Sequence, residues 1–455
     1  MRLLGGRYQQ QGSDSGPIDL LSQAVRHYEN LSSAIPGWRV VERALSTRCL
    51  RQRLNECGFS ASVPISTVPH HAAHTFAAAS LLTTGFGLIW TMDGYGDGLW
   101  ATATRWVNGE PRLVASHSYR SSPAVTYGAV CQFLGFKEGE EGKVTALAAH
   151  GDPRVTGEFF SQGPVARGGP LRPWEVRHLK PFAPADIAAG LQRAVEERVL
   201  SLIAASITPA DHTLALAGGL FANVTVNRRL VEHFPELSIQ VFPAMGDGGL
   251  SVGAALHTQS RLGTPWVPWK HAYLGPPLVR RLVHSAIPPD VKVDTSSVPE
   301  KKVAEMLAAG GIVAMVDGRD EYGPRALGNR SLLFGATDPA VAARVQSALA
   351  RSTIMPFAPM CRARHVEALF SPPYPCAERA DYGLSFMTIA VQARDETIRR
   401  YPVAVHIDGT ARVQAVTRGR HRYLYRILAE YEKLTGNLLL INTSFNLHGE
   451  PMVHD

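Results

Sequence analysis

The amino-acid sequence predicts an α/β fold in two domains, and three observations carry that reading. A short apolar strand at 213–217 runs into Gly218-Gly219 and then a helix with apolar residues at Val226, Leu230 and Phe234, and a second such unit follows over 239–262. Before them, residues 87–119 read as a strand meander, and after residue 299 helices and strands alternate again. At 455 residues the chain exceeds what one hydrophobic core usually supports.

Taken in order, residues 18–31 and 40–55 have helix-like spacing and no motif. His70 to His74 precede Ala77-Ala78-Ala79, a composition that favours helix. Strands are expected at 87–93, 100–107 and 113–119, with Asp93 at a strand end and Asn108-Gly109 as a turn. Glu141-Gly142-Lys143 opens a helix over 144–150. In the second glycine unit the strand covers 239–245, Gly246-Asp247-Gly248-Gly249 is the turn, and 251–262 the helix. The prolines and tryptophans of residues 263–270 break all periodicity, which places the boundary between domains at 1–265 and 270–455. The second domain reads as helix 299–309, strand 311–316, helix 339–349, strand 387–391, helix 423–434 and strand 437–441.

Composition narrows the function class. With 45% hydrophobic and 19% charged residues the chain is a globular enzyme type rather than a disordered one. The balance of 46 Lys+Arg against 39 Asp+Glu gives +7, scattered rather than gathered in a basic stripe, which suits phosphorylated small molecules and not nucleic acid. The five cysteines form no CxxC and are odd in number, so free thiols in a reducing cytoplasm are expected. No apolar run reaches the roughly 18 residues that span a bilayer, so neither a membrane nor secretion is expected.

Three constellations carry chemistry. His70 and His74 are one helical turn apart and can present two imidazole nitrogens to one cation; the competing reading is that they pack the helix. Asp93 and Asp247 would complete a mixed nitrogen and oxygen site suited to iron, manganese or zinc, with His71 facing elsewhere. In the second, Gly218 and Gly219 let backbone amides approach an anion and Asn223 can direct a hydrogen bond, while Glu141 and Lys143 are candidates for ribose or phosphate. An ordinary strand-to-helix turn and an exposed ion pair are the alternatives. The third puts Arg319, Arg325 and Arg330 into glycine turns, where planar guanidinium forks match phosphate oxygens, although a salt-bridge network would use the same residues. Residues 355–359, 406–412 and 442–446 add loops that can close on the same anion, with core packing the expected role of Met355 and Phe357.

In this order the motifs HHAAH, MDGYGDG, EGKVTALAAHGD, AGGLFAN, PAMGDGGLSVGAA, GRDEYGPRALGNRS, MPFAP, HIDGTARVQ and NTSFNLHGEP resemble the NodU/CmcH family of O-carbamoyltransferases, from about residue 69 to 453. The resemblance implies an actin/sugar-kinase-like (ASKHA) first domain and a YrdC-like second domain. It implies that the second forms carbamoyl-adenylate from carbamoyl phosphate and ATP, and that the first transfers the carbamoyl group to a hydroxyl of a small-molecule natural product, such as an antibiotic. By the same resemblance His70, His74, Asp93 and Asp247 are ligands of Fe2+ or another divalent metal, with His70 and His74 catalytic. Gly218, Gly219 and Asn223 form the adenylate cradle. Arg319, Arg325, Arg344, Arg351, Arg412, Ser444 and Asn446 form the carbamoyl phosphate and ATP site. The MPFAP wording leans toward a macrocyclic polyketide acceptor, and a homodimer is compatible with the family.

The chain departs from the family in three places. Relatives open with a glycine-bearing strand and a His-Asp-Ser-like segment, for which MRLLGGRYQQQGSD has no counterpart, so that strand is expected to be missing and no general base is assigned. Relatives continue as a helix past the point where Val453-His454-Asp455 stands, and a lysine is usual in place of Arg344. Two alternatives share these motifs: a threonylcarbamoyl-type transferase acting on tRNA, and an inactive relative that only binds nucleotide.

Overall fold

A computed structural model describes residues 38–264, 269, 271–278, 298–372, 383–447 and 449–454, in two compact units, 1–69 and 70–455. In the first unit helix α1 (Trp38–Glu56) covers the helix expected at 40–55; the one expected at 18–31 lies outside the described residues.

The second unit is mixed α/β. It opens with the buried helix α2 (His70–Ala79). Strands β1 (Phe86–Gly96), β2 (Leu99–Val107) and β3 (Glu110–Ser118) form an antiparallel meander. Its two turns, Asp97-Gly98 and Asn108-Gly109, hold Asp97 and Asn108 at φ 52° and 54°, a left-handed conformation that Asp and Asn tolerate better than most residues. After helices α3 (Glu141–Ala148) and α4 (Pro184–Ala204), β4 (Thr213–Ala217) pairs parallel to β1, helix α5 (Val224–His233) crosses over, and β5 (Ser238–Val241) pairs parallel to β4. The sheet order is therefore β3-β2-β1-β4-β5, followed by helix α6 (Leu250–Arg261). Trp90, Trp100, Leu214, Leu216, Val226 and Leu230 are buried in one cluster that fixes which strand faces point inward.

Beyond it β6 (Tyr273–Pro277) pairs with β8 (Arg319–Glu321), and β11 (Phe370–Ser371), β12 (Val391–Ala393) and β13 (Thr410–Ala411) make a small sheet. A second five-stranded sheet has the order β14-β10-β15-β9-β7, built from β7 (Val313–Val316), β9 (Arg330–Gly335), β10 (Ala358–Arg362), β14 (Gln414–Val416) and β15 (Leu440–Ser444). Helix α7 (Pro299–Ala308) packs with helix α9 (Arg422–Thr435), whose Leu424, Ile427 and Leu428 bury against Leu333, Met360 and Leu440; helix α8 (Pro339–Ala348) follows β9.

Four local expectations are corrected. Asp93 does not end its strand: β1 continues to Gly96, with a register shift between Met92 and Gly96 that re-aims the Asp93 side chain. The strand expected at 239–245 stops at Val241, because Pro243 has no N–H to give and the Met245 carbonyl accepts from Gly218 N at 2.6 Å. The strand expected at 387–391 begins only at Val391, as β12; before it Met387 stands at φ 55° in a buried turn closed by Thr388 N and Oγ1 donating to the Gly383 carbonyl. The strand expected at 437–441 begins at Leu440 and runs to Ser444, since Asn437 and Leu438 donate their N–H groups to Thr435 Oγ1 and Tyr401 Oη while β15 finds its register on β9.

Candidate active site: a histidine and aspartate cluster and an arginine cavity

Helix α2 starts at His70, after Pro69, and its first N–H donates 2.6 Å to Asp97 Oδ2 from the β1–β2 turn, a cap supplied from outside the helix. One turn on, His74 lies on the same face. Its Nε2 is 3.0 Å from Asp93 Oδ2 and 3.6 Å from Asp247 Oδ1; His70 Nε2 is 3.3 Å and 3.7 Å from the same two atoms. All four candidate ligand atoms fall within 4.8 Å of one another.

This spacing fits a cation. With metal–ligand distances near 2.1 Å, neighbouring ligand atoms lie about 3.0 Å apart around an octahedral ion and about 3.4 Å around a tetrahedral one. Two imidazoles with two carboxylates suit iron, manganese or zinc. The His74 side chain is wholly buried and its Nδ1 has no hydrogen-bond partner, so Nε2 is the nitrogen that is engaged.

The electrostatics follow from the crowding. Burial opposes a charge on His74, but hydrogen bonds to Asp247 and Asp93 outweigh it and raise its pKa. Burial likewise opposes ionisation of Asp93, and the hydrogen bonds from His70 and His74 overcome it, holding the carboxyl well below its usual range. His71 points away: Nδ1 meets Thr91 Oγ1 at 2.7 Å, Nε2 meets the Leu99 carbonyl at 3.2 Å, and burial with His70 nearby lowers it to about 4.

The glycine pair lies against this cluster. Gly218 has φ 105°, and a Cβ there would stand 2.1 Å from the Met92 carbonyl oxygen, so only glycine lets the chain pass. A Cβ at Gly219 would stand 3.0 Å from Asp93 Oδ1. Asn223 does not turn its amide toward the cluster. Its Oδ1 accepts from Thr225 N and Val226 N, capping α5, and its Nδ2 donates to Gln192 Oε1 at 2.8 Å.

A cavity of about 270 Å³ is lined by Lys143, Arg325, Arg351, Arg412, Ser444 and Asn446, among others. Arg325 reaches back with Nη2 to the Ala222 carbonyl at 3.2 Å, three residues beyond Gly219. Arg351 donates to Thr443 Oγ1 at 2.7 Å and lies over the Phe357 ring at 4.5 Å. Among the described residues no carboxylate pairs with Arg325, Arg351 or Arg412, and the Nε atoms of Arg325 and Arg412 are buried without a partner. Burial lowers Arg325 and Arg351 to about 10 each, and Arg412 is held well below the usual arginine value by burial and by repulsion from the other two. Such a trio is destabilising when alone and complementary to an anion.

Three predicted residues fall elsewhere. Arg319 is exposed and donates to the Gly275 carbonyl at 2.9 Å, because β8 pairs it outward against β6. Arg344 is exposed on α8, whose buried face is Val341, Ala342 and Val345. Glu141 accepts from Gly139 N at 3.3 Å, and its neighbour Glu140 borders the cavity instead, paired with Lys143 at 2.6 Å. Arg330 is buried and joined to Asp320, so it belongs to the salt-bridge reading. Met355 borders the cavity, whereas Phe357 is buried beneath Arg351. Sequence reasoning missed Asp97 and Gln192; the second aspartate of MDGYGDG was the available signal for the first, and no local signal marks Gln192 on α4.

The family descriptions Carbamoyltransferase N-terminus and Carbamoyltransferase C-terminus match residues 173–256 and 304–455. An uncharacterized protein of Methanocaldococcus jannaschii is 32% identical, over 86% of this chain and 70% of its own length. Nodulation protein NolNO of Sinorhizobium fredii is 32% identical over 86% of this chain and 60% of its own length, and nodulation protein NolO of Bradyrhizobium diazoefficiens is 31% identical over 84% and 74%. A solved structure of HypF from T. kodakarensis is 22% identical over 36% of this chain, with a TM-score of 0.26. With two family segments in order and relatives this similar along most of its length, the chain belongs to the carbamoyltransferase family of transferases.

Proposed function

We propose that the chain moves a carbamoyl group from carbamoyl phosphate, by way of carbamoyl-adenylate, to a hydroxyl of a small-molecule natural product. The observation that carries the reading is the trio Arg325, Arg351 and Arg412, unpaired with any described carboxylate, lining one cavity from which Arg325 reaches the Ala222 carbonyl, three residues past the glycine that packs on Asp93. Water and carbamoyl phosphate give carbamate and phosphate; carbamate and ATP give carbamoyl-adenylate and pyrophosphate; the acceptor alcohol then displaces AMP.

In this scheme the three arginines and Lys143 bind and orient phosphate oxygens, and Ser444 and Asn446 supply polar contacts at the cavity wall. Gly218 lets the turn pass Met92, and in this scheme the bare Gly219 next to Asp93 is where an adenylate approaches the cluster. His70, His74, Asp93 and Asp247 would hold the divalent cation, for which Fe2+ is our choice within the donor set. When bound, such a cation supplies Lewis-acid polarisation of a carbonyl. The meander extended by two parallel strands supports an actin/sugar-kinase-like region, and the division at 265–270 into that region and a YrdC-like one belongs to the same reading.

The test separates the half-reactions. Pyrophosphate release from ATP and carbamoyl phosphate should disappear in Arg325→Ala and persist in His74→Ala, while carbamoylated product, detected by mass spectrometry over a panel of macrolides, ansamycins, aminocoumarins and aminoglycosides, should disappear in both. Wild-type chain that releases no pyrophosphate would refute the proposal.

A further inference from the structure

Of the four candidate ligands, Asp247 is the least supported. Its side chain is 59% exposed, against 17% for Asp93 and none for His74, and it stands in a short turn between glycines, Gly246 and Gly248. A ligand on such a turn is placed only as well as the backbone around it is held.

Besides the hydrogen bonds within the turn, Gly249 N to the Gly246 carbonyl at 2.9 Å and Leu250 N to the Asp247 carbonyl, that backbone is tied to a residue from far along the chain. Tyr322 Oη donates to the Gly248 carbonyl at 2.6 Å and lies 3.2 Å from Ser251 Oγ. Its ring rests against Phe242 and Trp269, and its own N–H donates to the Ala272 carbonyl at 2.6 Å. The next residue, Gly323, has φ 128° and passes so close to Pro243 that a Cβ would stand 2.5 Å from the Pro243 carbonyl oxygen. Two residues on, Arg325 enters the cavity and donates to Ala222. The loop that carries them is closed by Glu321 Oε1, which accepts from Leu327 N, Asn329 N and Arg330 N. One short segment therefore touches the Asp247 turn at one end and supplies a cavity arginine at the other.

We propose that Tyr322 is a positioning residue for Asp247, and that the Tyr322–Arg325 segment couples filling of the arginine cavity to cation affinity at the histidine and aspartate cluster. The inference rests on the cation and anion readings given under Proposed function. An anion that engages Arg325 restrains the segment, which keeps the Gly248 carbonyl and hence Asp247 in the ligating arrangement. The coupling is positive, and by linkage the cation tightens anion binding by the same factor.

The experiment uses the full chain, Co2+ as the cation followed by its d–d absorption, and inorganic phosphate as the anion. Phosphate should tighten Co2+ binding by about fivefold or more in the wild type. Tyr322→Phe, which removes one hydroxyl and keeps the ring packing, should bring that factor below about twofold and weaken Co2+ binding itself. Arg325→Ala should also bring the factor below about twofold. Complexation of free Co2+ by phosphate is the same for every variant, so the comparison between variants removes it. A factor of one in the wild type, or a wild-type factor in Tyr322→Phe, overturns the inference. If His74→Ala takes up Co2+ as the wild type does, the cation reading fails and this inference with it; a site that depends on His74 but ignores phosphate overturns the coupling alone.

Discussion

Replacing Arg412 by methionine should raise the stability of the ligand-free chain and lower its affinity for anions, two effects of opposite sign from one side chain. Arg412 stands in the cavity with its charge disfavoured by burial and by Arg325 and Arg351, its Nε unpartnered, and no described carboxylate beside it. Methionine keeps most of the stem volume and removes the charge. Relief of an uncompensated, desolvated charge is worth on the order of 1–2 kcal/mol. With an unfolding entropy of about 2.1 cal/mol/K per residue over the 70–455 unit, that corresponds to a rise in Tm of about 2 °C. A charge-assisted contact to phosphate is worth about 1.5–3 kcal/mol, so phosphate should bind roughly 10- to 150-fold more weakly. Differential scanning calorimetry without ligand and isothermal titration with inorganic phosphate read the two effects. A fall in Tm of several degrees would mean that the guanidinium is satisfied by the fold and the reasoning wrong; unchanged phosphate affinity would remove Arg412 from the anion site.

Other outcomes follow from the same geometry. His421 caps α9 by accepting from Leu424 N through Nδ1 and donates through Nε2 to Asn329 Oδ1, and burial lowers it from 6.5 to about 4. Its neutral form is the folded form, so its contribution to stability is complete above pH 6.5 and is lost as pH falls from there toward 4. Urea melts over that window should show stability falling with acidity, and His421→Asn, which keeps a capping acceptor, should flatten the slope by nearly one proton; an unchanged slope would assign the acid sensitivity elsewhere. Asp97→Ala removes the external cap of α2 and places alanine at φ 52°, together costing about 1–3 kcal/mol, whereas Asp97→Asn, suited to both, should recover most of it in the same melts. Dialysis against a chelator should abolish product formation and spare pyrophosphate release, with Fe2+ restoring activity; turnover that survives metal removal, confirmed by elemental analysis, would end the cation reading.

What was legible beforehand was local. The i, i+4 spacing of His70 and His74 follows from helical geometry alone, and the glycine pairs announce places where a side chain would collide, as Gly218 does with Met92. The nine ordered motifs carried the family, because chemistry of this kind concentrates in short polar loops. Element ends were less legible where distant groups set them, as at Val241, where strand pairing yields to the contact between Met245 and Gly218.

Tertiary structure alone decided which arginines share a cavity. Arg319 and Arg325 are six residues apart with the same chemistry, yet pairing of β8 with β6 turns the first outward while the second crosses to Ala222. Arg351 and Arg412, distant in sequence, are brought beside it by the sheet that joins β10, β14 and β15. The approach of Tyr322 to the Asp247 turn is likewise written nowhere in local spacing. The physical reason is the same throughout: periodicity and propensity act over a few residues, whereas convergence of charged groups on one point depends on how separately formed elements bury their apolar faces against each other.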